Sequence, residues 1–210
     1  MPAVVFDFDG LMIDSESEVA ACVADVLAAR GLPFALEDVA HLFGSTDTAA
    51  EWDRVLAPHG LSLAELRPEV DAMLRPRVDA LPLLPGVVDV LDAAAGSGWA
   101  TAIATGTDRP RLDAHLARLG ISSRFDAIVT RWEVAEGKPA PDIYVEAAAR
   151  LGQPAAGCLA LEDSLPGCVA AMAAGMRVIV CPSPVTAGCA FPPSVRRVAS
   201  LVEVASTLNL

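Results

Sequence analysis

The chain has 210 residues, of which 53% are hydrophobic, and its 15 basic and 27 acidic residues give a net charge of −12. That length suits one domain, or one domain with a smaller insertion, and allows a sizeable core. The charge opposes backbone-driven binding to nucleic acid or to an anionic membrane, and no apolar run reaches the roughly 18 residues that a membrane span needs.

The first stretch with chemical content is AVVFDFDGLMIDSE, residues 3–16. Val4, Val5 and Phe6 read as a strand buried on both faces, yet Asp7 and Asp9 carry charge toward its end. A strand pattern begins at once with no basic leader before it, so the expected location is the cytoplasm. SEVAACVADVLAARG then places Val19, Cys22, Val23, Val26 and Leu27 at helical spacing, with Gly31 ending the pattern. LEDVAHLFG, TDTAAEWDRVLAPHG and LSLAELRPEVDAML continue as helices, split by Gly44, by Pro58 and Gly60, and by Pro68.

The pattern changes at LPLLPG, residues 81–86, which reads as a hinge before a new helix. From there WATAIATG, FDAIVT, CLALED and RVIVCP form short apolar runs separated by Ala-rich helical segments, the alternation of a parallel α/β sheet. The roughly 90 residues between the first two strands far exceed an ordinary crossover of about a dozen, so the helical block reads as an insertion. The expected division is a core of residues 1–15 and 80–210 and a helical domain of residues 16–79. PSPVTAGCAFPPS reads as an irregular loop. The five cysteines, Cys22, Cys158, Cys168, Cys181 and Cys189, lack a CxxC pair and sit mostly in apolar runs, as reduced core thiols do. His41, His59 and His115 are widely separated and are assigned no chemistry.

In open parallel sheets, ligands sit beyond the carboxyl ends of the strands. Asp7 and Asp9, Thr105 and Gly106, and Glu162 and Asp163 all fall at such ends, and Lys138 follows the third strand by a short loop. Taken singly, Thr105 and Asp163 read as helix N-caps and Lys138 as a solvated lysine. Two carboxylates beside a buried strand are harder to explain without a cation. Together, three carboxylates, a hydroxyl and an ammonium around one crevice suit a hard divalent cation and a phosphoryl group.

These motifs resemble those of the haloacid dehalogenase superfamily, in the phosphatase branch whose helical cap is inserted after the first strand. DFDGLMIDSE is similar to its first motif, IATGT to the second, GKPAPDIY to the third and LEDSLPGCVAAMAAGM to the fourth, in the right order from about Val4 to Cys181. The resemblance implies a three-layer, Rossmann-like parallel-sheet core with an all-helical cap. It also implies Asp7 as the nucleophile that forms an aspartyl-phosphate, and Asp9 as general acid and then base. Magnesium would be held by the Asp7 carboxylate, the Asp9 main-chain carbonyl and Asp163, with Glu162 a direct or water-bridged ligand. Thr105 and the Gly106 amide would hold the phosphoryl oxygens, and Lys138 would offset charge on nucleophile and phosphoryl group alike. The superfamily's dehalogenases lack an aspartate at the position of Asp9, so phosphate chemistry is the better reading.

By the same resemblance, specificity lies in cap residues: Glu16, Ser45, Thr46 and Asp47. GSTDT also reads as a helix start with Thr46 or Asp47 as N-cap, and Glu16 as an exposed hinge residue. β-Phosphoglucomutase shares the four motifs but carries a cap histidine and a cap-loop arginine where this chain has Val19 and Asp47. A carboxylate there would repel a second phosphate, so the expected reaction is hydrolysis of a monophosphate ester with a neutral, hydroxyl-rich or cationic leaving group. A receiver-type signalling module is the alternative of another class, but receivers are shorter and lack a cap. A dinucleotide-dependent redox enzyme fails because no GxGxxG follows the first strand. The expected cofactor is Mg2+ and the expected partner a small-molecule phosphate ester, with no nucleic acid, membrane or protein partner implied.

Overall fold

A computed structural model describes residues 2–45 and 48–208. In chain order its elements are β1 (Ala3–Phe6), α1 (Ser15–Ala28), α2 (Leu36–Val39), α3 (Ala49–Leu56), α4 (Leu63–Val78), α5 (Val87–Gly96), β2 (Ala100–Thr105), α6 (Arg109–Arg118), β3 (Ala127–Thr130), α7 (Asp142–Arg150), β4 (Cys158–Glu162), α8 (Leu165–Ala173), β5 (Arg177–Val180), β6 (Arg196–Arg197) and α9 (Val202–Leu208). The strands form one sheet in the order β3-β2-β1-β4-β5-β6, every neighbouring pair parallel.

β1 occupies the middle, and none of its side chains reaches solvent. Successive strand residues point to opposite faces, so Val4 and Phe6 enter one core with Ile103, Leu159 and Leu161, while Ala3 and Val5 enter the other with Ala102, Val129 and Tyr144. Helices cover both faces, which is why these strands read as continuous apolar runs without alternation. Phe6 pairs with Ile103 on one side and Leu161 on the other, so the chain ends that follow β1, β2 and β4 emerge side by side. The connections diverge there, and a crevice opens at the carboxyl edge of the sheet.

Among the described residues, the segment between β1 and β2 contains helices and no strand. α1 packs along α4, and Arg77 ties them by reaching Asp25 at 2.9 Å and Glu18 at 3.5 Å. The expected break at Pro68 does not occur: α4 runs unbroken from Leu63 to Val78 through Pro68 and Pro76. An interior proline costs about 3 kcal/mol or more. Against this, Leu66, Val70, Leu74 and Val78 are buried at four-residue intervals, each contributing roughly 1.5–3 kcal/mol. A capping box between Ser62 and Glu65 starts the helix. Packing therefore overrides propensity.

Residues 81–86 rejoin the core beside the loop after β1, where the Leu84 amide donates to the Met12 carbonyl at 2.8 Å. Residues 182–194 form the expected irregular loop, and the two-residue β6 that follows, not foreseen from sequence, pairs with β5. No helix among the described residues is long and apolar enough to cross a membrane.

Candidate active site

Asp7 continues β1 by one residue, its amide donating to the Leu161 carbonyl at 2.9 Å, and this fixes its carboxylate at the mouth of the crevice. The chain then turns sharply: the Met12 amide donates to the Phe8 carbonyl and the Gly10 amide to the Ile13 carbonyl, both at 2.8 Å. Gly10 adopts φ +80°, and a Cβ there would lie 2.3 Å from Asp163 Oδ2 and 2.9 Å from Glu16 Oε2. The turn demands glycine for its backbone, and the two carboxylates demand it for space.

The structure brings together the residues that the sequence singled out in the core. Lys138, 2% exposed, donates from Nζ to Asp7 Oδ1 at 2.6 Å and to Glu162 Oε1 at 2.7 Å, and lies 5.3 Å from the centre of the Tyr144 ring. Burial works against its charge, but Asp7 and Glu162 raise its pKa and hold it as an ammonium. Thr105 is fully buried; its Oγ1 accepts from the Thr107 amide at 3.0 Å and lies 3.5 Å from Asp9 Oδ2. Asp9 also receives the Ser15 hydroxyl on Oδ1 at 2.7 Å and the Thr107 hydroxyl on Oδ2. Gly106 lines the same crevice.

Glu162 and Asp163 are adjacent but differ in surroundings. Glu162 Oε1 accepts from Lys138 and from the Tyr144 hydroxyl, and Oε2 accepts from the Asp163 amide, the Ser164 amide and the Ser164 hydroxyl. Those donors occupy both of its oxygens, so this carboxylate is a brace that fixes Lys138 and the start of α8. Asp163 is fully buried, and neither of its oxygens has a hydrogen-bond partner. Burying such a group unpaired costs several kcal/mol. Burial, reinforced by Glu16 and Glu162, raises its pKa well above the usual carboxylate range. Burial also raises that of Asp7, against the pull of Lys138.

One oxygen from each of Asp7, Glu162 and Asp163 lies within 4.8 Å of the others. The oxygen-only donor set and the unpartnered Asp163 carboxylate fit a hard divalent cation. Without one, four neighbouring carboxylates face a single ammonium, because Glu16 joins the group.

Glu16 departs from one expectation. It is 5% exposed, not an exposed hinge residue; it accepts from the Ser183 hydroxyl at 3.3 Å and still lines the crevice. Burial, with the charges of Asp7, Asp9 and Glu162, pushes it up to about 8. Ser45 Oγ donates to the Lys138 carbonyl at 3.2 Å, and Gly44 sits so close to α8 that a Cβ would lie 2.1 Å from Ser164 Oγ. These contacts seat the helical segment on the sheet. Thr46 and Asp47 lie outside the described residues.

Sequence reasoning missed several residues that shape the site. Thr107 and Ser15 hold Asp9, Tyr144 holds Glu162, and Thr186 donates to the Asp163 carbonyl at 2.7 Å. It also missed that Arg67, Arg111, Arg131 and Trp132 line the same cavity, of about 550 Å3. A second chamber of about 270 Å3 opens beside Asp9 and Arg111 and is walled by Val19, Leu42, Phe43, Trp52 and Leu74.

A family described as haloacid dehalogenase-like hydrolase matches residues 1–175. Protein CbbY of Rhodobacter capsulatus is 34% identical over 221 residues, covering 98% of this chain and 96% of its own. Hexitol phosphatase B of Escherichia coli is 33% identical over 188 residues, covering 87% of this chain and 84% of its own. Among solved structures, CbbY of Rhodobacter sphaeroides in complex with xylulose-(1,5)bisphosphate aligns over 100% of both chains with a TM-score of 0.78 and 30% identity.

Proposed function

The chain belongs to the haloacid dehalogenase-like hydrolases, and from that premise we propose that it hydrolyses a small phosphomonoester, a sugar phosphate or similar, through a phosphoryl group carried on Asp7. The observation that carries this reading is the bridge of Lys138 Nζ between Asp7 and Glu162, beside an Asp163 carboxylate with no partner of its own. The relatives named as phosphatases support the reaction class.

In this reading Asp7 Oδ2 attacks phosphorus, since Oδ1 is held by Lys138. Lys138 and the Gly106 amide balance charge on the phosphoryl oxygens, and Thr105 fixes the loop that presents them. Asp9 gives a proton to the departing alkoxide and then takes one from the water that cleaves the acyl-phosphate. The Ser15 and Thr107 hydroxyls keep its carboxylate aimed along that path. Asp7, Asp163 and the Asp9 main-chain carbonyl would hold a magnesium ion, with Glu162 bracing them. When bound, the ion supplies counter-charge to the buried carboxylates and polarises the phosphoryl oxygens.

Residues 16–79 act as a cap that closes over residues 1–15 and 80–210. The contacts of Ser45 and Gly44 with the Lys138 and Ser164 loops support that role. Val19 lies in an apolar wall, which offers no acid or base for returning a phosphoryl group to a second hydroxyl and so favours hydrolysis over the mutase reaction.

The test is turnover of p-nitrophenyl phosphate with and without magnesium, in the wild type and in Asp7→Asn. Turnover is expected only in the magnesium-loaded wild type, together with a phosphorylated Asp7 peptide in acid-quenched samples. Activity that persists in EDTA, or in Asp7→Asn, overturns the proposal.

A further inference from the structure

We infer that Trp132 determines specificity: its indole, at the rim of the catalytic cavity, is the platform on which a neutral, ring-shaped leaving group lies, a closed sugar ring or a heteroaromatic base. This rests on the proposed phosphomonoester hydrolysis and narrows the class of ester that the site takes.

Trp132 is 74% exposed, against 38–51% for Val88, Val145, Val169, Met172 and Val202, the other large hydrophobic residues open to solvent among the described ones. Those five lie in α5, α7, α8 and α9, and none of them lines the cavity that holds Asp7, Asp9 and Lys138. Trp132 does. Asp7 and Lys138 are buried, so a side chain as exposed as Trp132 stands at the rim of the cavity they share. Scattered apolar residues on a surface need no explanation, but an indole at the mouth of an acidic crevice is a different matter.

The turn that presents this indole is fastened on both sides. Arg131–Glu133 forms a single turn between the buried Thr130 and Val134, which packs against the core of the sheet. The Thr130 amide and hydroxyl both donate to Glu133 Oε2, at 2.8 and 3.0 Å. Arg150 donates to Glu133 Oε1 at 2.8 Å and to the Ile128 carbonyl at 2.7 Å, and Arg131 donates to the Val134 and Ala135 carbonyls at 3.2 and 3.3 Å. A ligand that covers the indole therefore removes apolar surface from water without first ordering the backbone beneath it. The gain appears as affinity.

The surroundings select the ligand. Apart from glycine, the apolar side chains in this lining are Trp132 from the core and Ala49 and Leu63 from the helical segment, with the hydroxyls of Ser45, Thr48 and Thr107 in the same cavity. The face of an indole takes an aromatic plane, the CH face of a closed sugar ring, or a cation. The Arg131 guanidinium already lies 6.0 Å from the Trp132 ring centre, so a second cation would be repelled. The cationic leaving groups admitted by the sequence drop out. An open-chain polyol has no flat face with which to cover the indole, which leaves a neutral ring whose polar edge meets the hydroxyls.

The experiment compares kcat/KM for three phosphate esters of a primary alcohol in the presence of magnesium: a methyl glucopyranoside phosphate, whose ring cannot open, sorbitol phosphate, which cannot close, and a nucleoside monophosphate. The departing alkoxide is alike in all three, so differences report what the rest of the group touches. Wild type is expected to favour at least one ring ester over sorbitol phosphate by about tenfold, the order of one aromatic contact; which ring wins identifies the occupant. Trp132→Ala is expected to abolish that preference, mainly through KM, and Trp132→Phe to keep part of it. A reading independent of turnover comes from magnesium-loaded Asp7→Asn, in which the ring ester should move tryptophan emission to shorter wavelength and shield it from acrylamide. That response should vanish when Trp132→Phe is added, although Trp52 and Trp99 remain. Inorganic phosphate, which has no ring, should not reproduce it. Equal kcat/KM for ring and open-chain esters in wild type, an equal loss on all three in Trp132→Ala, or a full response to phosphate alone overturns the inference and leaves the hydrolase reading intact. Absence of turnover on every phosphate ester overturns the hydrolase reading, and this inference with it.

Discussion

The hydroxyl of Thr107 donates to Oδ2 of Asp9 across 98 positions of sequence. Ser15 holds the other oxygen, so the proposed acid is aimed from both the β1 loop and the β2 loop. Thr107→Val keeps the shape of the side chain and removes one of these hydroxyls. We expect kcat to fall about tenfold with KM little changed, because the loss is one of orientation. Steady-state kinetics on p-nitrophenyl phosphate measures both, and a change confined to KM would contradict this role.

Asp9→Asn removes the proposed proton carrier itself. The expected loss is about 10² to 10⁴ in kcat. Magnesium affinity should survive, since the ligand proposed at this position is a main-chain carbonyl. Calorimetric titration with magnesium beside the rate measurement decides the matter; a variant that no longer binds the ion would show that the side chain is itself a ligand.

Lys138→Met tests the buried bridge. The substitution leaves Asp7 and Glu162 without their shared ammonium in a site where Lys138 is 2% exposed. Removing one partner of a buried pair costs about 3–5 kcal/mol. For a chain of this size that lowers the melting midpoint by roughly 6–20 °C. Calorimetric melting in EDTA reads the stability, and turnover should be lost in parallel. An unchanged midpoint would mean that the pair contributes nothing to the fold.

The pH dependence of the metal-free protein follows from the carboxylates. Glu16 is pushed from 4.5 up to about 8, and Asp7 and Asp163 are raised in the same direction. Between about 4.5 and 8 the unfolded chain has released the Glu16 proton and the folded chain retains it, so the folded state binds more protons. The Glu16 contribution to stability is therefore fully present below about 4.5 and is lost as pH rises toward 8. The melting midpoint in EDTA should fall over that window, and Glu16→Gln should flatten the decline. Added magnesium should raise the midpoint more at pH 8 than at pH 5, since it replaces the retained protons. A midpoint that rises with pH in EDTA would refute this account.

The core of the site was legible because the order of polar strand ends is a property of sequence. Asp7, Thr105 and the Glu162–Asp163 pair each end an apolar run and Lys138 follows the third strand by a short loop, and parallel strands place such ends on one edge. The hydrogen bonds of Glu162 were not legible, since a list of residues does not reveal that Tyr144, Ser164 and Lys138 would engage both of its oxygens. Thr107, Ser183 and Thr186 went unnoticed as single hydroxyls in loops. Arg67 and Arg111 were not singled out, since nothing in their local sequence sets them apart, yet both line the cavity that holds Asp7 and Asp9. Pro68 misled because propensity is local, whereas the stripe of Leu66, Val70, Leu74 and Val78 is buried by partners elsewhere in the chain.

The register of β1, with Phe6 flanked by Ile103 and Leu161, has a consequence for biogenesis. Asp7 leaves the ribosome early, but the strand that brings Asp163 beside it is made more than 150 residues later. A nascent or truncated chain lacking β4 carries the proposed nucleophile without Glu162 and Asp163 beside it. Such a fragment leaves the apolar edge of β1 unpaired and lacks Glu162 and Asp163, so the proposed site is incomplete until β4 docks.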